Sequence, residues 1–208
     1  MGRTVKRNAF FELNVAEGYF TCSRLVEDGQ TIISSDPSVL HRNHHDVTAT
    51  IASNTDSDAP DWLMPIGQRC LSERALAIFR DAKINFSPQF QWIPVRVLRK
   101  SGKLVGRYWW AKCDEWSASK EFDVLDLESA KFTVFPPEAF VKPPPPGTIV
   151  YNKVSDWVLK GEVIGSLDLF YGCRVRWYGS LRLKAVVEDH GLKGFYFEPV
   201  ALSFPKAD

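Results

Sequence analysis

The chain has 208 residues, of which 45% are hydrophobic and 25% charged, with 26 Lys and Arg against 25 Asp and Glu. This composition excludes wholesale disorder and fibrous structure, and it suits one large domain or two small intertwined lobes. A net charge of +1 removes the electrostatic footing for a nucleic-acid or anionic-membrane binder, so neither partner is expected.

No apolar run approaches the ~18–20 residues of a membrane span. Asn8 to Phe20 carries Glu12, Asn14 and Glu17 where a signal peptide needs its apolar region, so a cytoplasmic location is expected. Cys22, Cys70, Cys113 and Cys173 are widely separated and form no Cys-x-x-Cys pair. Their expected state is the reduced thiol, without disulfide or zinc.

Residues 1–60 hold five basic and eight acidic residues, about −3, which leaves about +4 for the remainder. They read as an N-terminal strand and loop segment ahead of an α+β domain over 61–208, the two allowed to form one continuous domain. Ala9 to Val15 and Tyr19 to Val26 read as short strands, with turns at Glu17-Gly18 and Asp28-Gly29. The small, polar run from Thr48 to Pro60 reads as a mobile surface loop.

Ser72 predicts a helix N-cap, and Ala75, Ile78, Phe79 and Ala82 follow at the spacing of one helical face. Pro88 to Leu98 and Val105 to Lys112 predict strands, with Ser101-Gly102-Lys103 as their hairpin. Further strands are expected over Glu121 to Leu127, Lys131 to Phe135, Val154 to Lys160 and Cys173 to Trp177. Pro143 to Pro146 form a stiff, extended linker.

A shift of 108 residues lays Ser72, Arg74, Ala75, Ile78, Phe79 and Ala82 onto Ser180, Arg182, Leu183, Val186, Val187 and His190. The apolar strand segments after each helix also resemble one another, ending in Pro94-Val95 and Pro199-Val200. Two helix-then-strand units, 72–98 and 180–202, therefore predict an α+β protein of mainly antiparallel sheet with two repeat-related amphipathic helices.

No Gly-rich phosphate loop or GxSxG elbow occurs, and no cofactor or catalytic residue is assigned. The segment His41, Arg42, Asn43, His44, His45, Asp46 is the one local group of metal-ligand types, and a metal-dependent hydrolase built on it is the enzymatic alternative. The expectation preferred for it is a polar surface loop. His190, at the last inward helix position, reads as a helix-end histidine near terminal carbonyls. Acidic and aromatic side chains crowd one region: Trp109, Asp114, Glu115, Trp116, Glu121, Asp123 and Asp126. They are the candidate protein-interface residues, because acidic groups steer basic partners and exposed aromatics anchor interfaces. A solvated sheet edge is the plainer reading, and an adaptor module using the four-proline segment is a third.

Taken in order, Pro60-Asp61-Trp62-Leu63, Leu71-Ser72-Glu73-Arg74, Trp92-Ile93-Pro94-Val95, Arg107-Tyr108-Trp109-Trp110-Ala111 and Phe122 to Ser129 resemble a bacterial immunity-domain family of polymorphic toxin systems. Asp168-Leu169-Phe170 and Gly194 to Val200 resemble its closing block. The family, a Myxococcus-type immunity domain, was earlier catalogued as a domain of unknown function. The likeness runs from about Pro60 to Leu202 and departs at Leu181, where the family has Glu. It implies a non-enzymatic cytoplasmic antitoxin that binds a cognate toxin or effector encoded nearby.

Overall fold

The computed structural model describes residues 3–16, 25–32, 44–51, 59–64, 69–113, 124–136, 151–172 and 176–205. The fold is α+β and dominated by strands, with antiparallel pairs outnumbering parallel ones. The first large sheet contains β2 (Val26–Glu27), β3 (Gln30–Thr31), β4 (Val47–Ile51), β5 (Trp62–Leu63), β6 (Cys70–Ser72), β7 (Gln91–Arg99) and β8 (Leu104–Lys112), in the order β3-β2-β4-β7-β8-β6-β5. The second contains β1 (Arg3–Val15), β11 (Val158–Lys160), β12 (Leu169–Gly172), β13 (Arg176–Ser180) and β14 (Phe195–Pro205), in the order β11-β14-β1-β13-β12. A separate hairpin-like pair joins β9 (Lys131–Val134) to β10 (Tyr151–Asp156). Helix α1 is Glu73–Asp81, α2 is the short Gly161–Ile164, and α3 is Leu181–Asp189. Among the described residues no helix is long and apolar enough to cross a membrane.

Five strands of each sheet obey one pairing rule. In the first, β4 runs parallel to β7, and β7-β8, β8-β6 and β6-β5 are antiparallel. In the second, β11 runs parallel to β14, and β14-β1, β1-β13 and β13-β12 are antiparallel. Register matches as well. Tyr108 lies between Ser72 and Val95, and Phe10 lies between Ser180 and Val200. The difference is in connection: β8 follows β7 through a tight hairpin, whereas β1, the strand in the corresponding place, comes from the N-terminal segment. Residues 1–60 thus supply strands to both sheets.

The side chains sort into three cores by strand alternation. Trp62, Leu71, Leu76, Phe79, Leu13, Trp177, Leu183 and Val187 fill the space between the sheets together with the inner faces of α1 and α3. Tyr108, Trp110, Val95, Val97 and Ala49 form a core on the far side of the first sheet. Phe10, Tyr178, Leu159, Val200 and Leu202 form one on the far side of the second. In the middle core Trp177 stacks on Phe90 at 4.8 Å, and Trp62 stacks on Phe195 at 5.3 Å. Burying each such side chain contributes about 1.5–3 kcal/mol.

Both longer helices start from the same device. Ser72 is extended, and its hydroxyl accepts from the Ala75 N–H at 3.0 Å; Ser180 does the same for Leu183 at 3.0 Å. Each cap hydroxyl then donates to a buried carboxylate, Ser72 to Asp61 at 2.6 Å and Ser180 to Asp168 at 2.5 Å. Asp61 also accepts from Arg74 at 3.2 Å and from the Lys193 N–H at 3.0 Å, while Arg74 donates to the His190 carbonyl at 2.8 Å. Asp168 accepts from Arg182 at 3.1 Å and from the Asn85 N–H at 2.9 Å, while Arg182 donates to the Ala82 carbonyl. Each carboxylate ties its own helix start to the loop leaving the other helix.

Several expectations change. The run from Thr48 is not a loop over its first residues: Val47–Ile51 is a strand, with Val47, Ala49 and Ile51 buried. Its small alternating residues suit a parallel strand packed closely on β7. Val124 to Leu127 forms a single bridge, Leu125 to Leu159, and then a turn, because the Asp126 side chain and carbonyl capture the N–H groups of Glu128 and Ala130. Val154 to Lys160 breaks at Trp157 into two strands that belong to different sheets. In α1, Leu76 is buried and Ile78 only partly so, a modest rotation of the expected face. His190 is exposed at the end of α3, and Val187 makes the last inward contact. The segments 17–24, 33–43, 52–58 and 114–123, the four-proline run, and Cys22 and Cys173 lie outside the described residues.

Candidate functional site

The candidate site is a polar cleft on the outer face of the second sheet. Its floor is set by alternation: on β1, Phe10 and Glu12 point to the same side, and Glu12 is the cross-strand partner of Glu198 on β14. Arg176 at the start of β13 forms an ion pair with Glu12, whose exposure is 9%. The Arg176 guanidinium also lies over the Trp157 ring, 4.3 Å from its centroid. Trp157 is placed there by the break between β10 and β11, which turns the chain from one sheet to another.

Two adjoining hollows of about 210 and 300 Å³ result. Ser155, Trp157, Glu198, Pro199 and Val200 border both; Asp156 closes one side, and Glu12 with Arg176 closes the other. Three carboxylates and one guanidinium give the walls a formal charge of −2. Neither Asp156 nor Glu198 has an ion-pair partner among the described residues. The arrangement offers hydrogen-bond acceptors beside an aromatic plane, a set suited to holding a cation.

The residues singled out from sequence fall elsewhere. Trp109 packs toward the middle core between Leu71 and Pro94, because Tyr108 and Trp110 take the opposite face of β8. Asp126 is 2% exposed and organises the turn described above, so its carboxylate is no steering charge at the surface. Asp114, Glu115, Trp116, Glu121 and Asp123 lie outside the described residues.

Of the histidine segment, His44 departs from the polar surface loop expected, while His45 and Asp46 are exposed, and Arg42 and Asn43 lie outside the described residues. The His44 side chain is fully buried, its Nδ1 is 3.1 Å from Glu27, and its ring meets Trp110 edge-on at 5.2 Å. Glu27 also accepts the His45 N–H at 2.5 Å, while Asp46 points away toward Arg96 at 3.9 Å. His41 lies outside the described residues. Among the described residues no three His, Cys, Asp or Glu side chains gather in a way that holds a metal. Arg69 is nearly enclosed between the sheets. Burial pushes its guanidinium down to about 10, opposed in part by Tyr171, Cys70 and Glu12.

No family model matches the chain, and no match is found among curated proteins.

One sequence signal for the cleft existed. Glu12 interrupts the apolar run of Ala9, Phe10, Phe11 and Leu13, a carboxylate where an apolar side chain packs more cheaply.

Proposed function

We propose that this protein is an immunity protein, which neutralises a cognate bacterial toxin in the cytoplasm by stoichiometric binding and without turnover. The observation that carries the reading is the cleft: carboxylates and an indole, typical recognition groups, stand together on the outer face of the second sheet. The order of motifs from Pro60 to Val200 that resembles the immunity domain supports it independently. Several of those motif residues, Asp61, Ser72, Arg74 and Asp168 among them, have structural work in the clusters.

We infer further that the two sheets with their helices are copies of one unit. In the second copy the strand corresponding to β8 is supplied by β1. The equal pairing rule, the matched registers around Tyr108 and Phe10, and the paired Asp, Ser and Arg clusters support this.

Co-expression with the product of the adjacent reading frame tests the function. A one-to-one complex together with restored growth of toxin-expressing cells is expected; absence of both would overturn the proposal.

A further inference from the structure

We propose that the cleft between Trp157 and Glu198 receives a cationic side chain, arginine or lysine, of a protein partner. This rests on the binding-protein reading above and deepens it by naming the contact.

The argument comes from the same place in the two sheets. By register, Glu12 stands in β1 where Trp110 stands in β8, and Glu198 stands in β14 where Ile93 stands in β7. Trp157 stands one residue before β11, at the place that Val47 takes at the start of β4 when the register is continued by one residue. In the first sheet this place is closed and apolar: Trp110 and Val47 are each 1% exposed, in a core completed by Leu25 and Ile32, with the His44 ring against Trp110. In the second sheet two of the three positions are carboxylates, and hollows lie open above them.

Folding alone does not ask for this. The first sheet is built with Trp and Ile at those positions, and two carboxylates placed directly opposite on neighbouring strands repel. Arg176 answers Glu12, which leaves Glu198 and Asp156 as surplus negative charge beside an aromatic ring. Arg176 over Trp157 shows that the ring accepts a guanidinium at stacking distance. A cationic side chain entering from a partner meets carboxylate acceptors and the indole together, whereas an anionic one is repelled.

The test uses the whole chain with its indole nitrogens labelled, titrated with N-acetyl-arginine methylamide and with the neutral citrulline analogue. The Trp157 N–H signal is assigned through Trp157→Phe. We expect a saturable shift from the arginine compound, none from citrulline, and binding about fivefold weaker in an Asp156→Asn/Glu198→Gln double variant whose circular dichroism is unchanged. No saturable shift, an equal shift from citrulline, or unchanged affinity of the double variant would each overturn the proposal. Growth protection separates this from the functional reading. Protection by a chain whose cleft is silent sinks the cleft and leaves the immunity reading, while a responsive cleft without complex or protection does the reverse.

Discussion

Asp61 and Asp168 occupy corresponding places in the two halves, and each holds the other half's loop through a backbone N–H, from Lys193 at 3.0 Å and from Asn85 at 2.9 Å. Each carboxylate also accepts from a cap serine and an arginine of its own half, so three groups depend on it. The halves are therefore joined by two equivalent clasps as well as by the core between them.

Removing one clasp should cost more than an ordinary helix cap. Asp168→Ala leaves the Ser180 hydroxyl and the Asn85 N–H without their acceptor and frees Arg182. A loss of about 3–5 kcal/mol is expected, against about 1 kcal/mol for Ser180→Ala alone. Urea unfolding would measure both; equal losses would show that the carboxylate does not organise the cluster.

Lys83 and Gly191 sit at the same point past their helices, both with positive φ, 52° and 58°. Each donates its N–H to a carbonyl three residues back, in Arg80 and Glu188. Glycine takes this conformation without strain and lysine does not. Lys83→Gly should therefore stabilise the protein by about 0.5–1 kcal/mol, and Gly191→Lys should destabilise it by a similar amount, read as opposite shifts in thermal midpoint.

Arg69 is a buried cation, and desolvation holds its guanidinium at about 10, below the ordinary arginine range. The native state therefore holds this proton less tightly than the unfolded chain, so the arginine's own contribution to stability rises as pH is raised above about 10. Arg69→Met lacks this dependence, so the urea midpoint of the unsubstituted chain should gain on that of the variant over that range; a constant difference would show that Arg69 does not titrate there.

Arg3 pairs with Pro205, so the two ends of the second sheet's long strands lie side by side, as Leu98 and Leu104 do in the first. A permuted chain that joins residue 205 to residue 3 by a Ser-Gly-Lys turn, and opens between 114 and 123, should fold with an unchanged circular dichroism spectrum. Loss of cooperative unfolding would argue against the equivalence of β1 and β8.

Local devices were legible in the amino-acid order, and long-range pairing was not. Ser72 announces α1 because a capping hydroxyl and a 3.6-residue stripe act within one stretch of chain, and β7 with β8 is announced by alternation around Gly102. The repeat of Ser72, Arg74 and Ala75 in Ser180, Arg182 and Leu183 is visible in the same way. The partners of β1 are not, because strand pairing carries no signal at a distance: Glu12 meets Arg176 across 164 residues. The cleft was missed for the same reason, since Glu12 and Glu198 become neighbours only when β1 pairs with β14. Asp126 was misread because a carboxylate that organises a turn and one that faces solvent look alike in sequence.

The position of β1 has a consequence for synthesis. The strand leaves the ribosome before every strand of the first sheet, yet both of its own neighbours, β13 and β14, follow that sheet in the chain. At ~5–20 residues per second, the 164 residues between Glu12 and Arg176 take roughly 8–30 s to make. The first sheet has everything from β4 to β8 long before then. A nascent chain thus carries a formed half and a waiting apolar strand, and that interval is when a chaperone matters most to it.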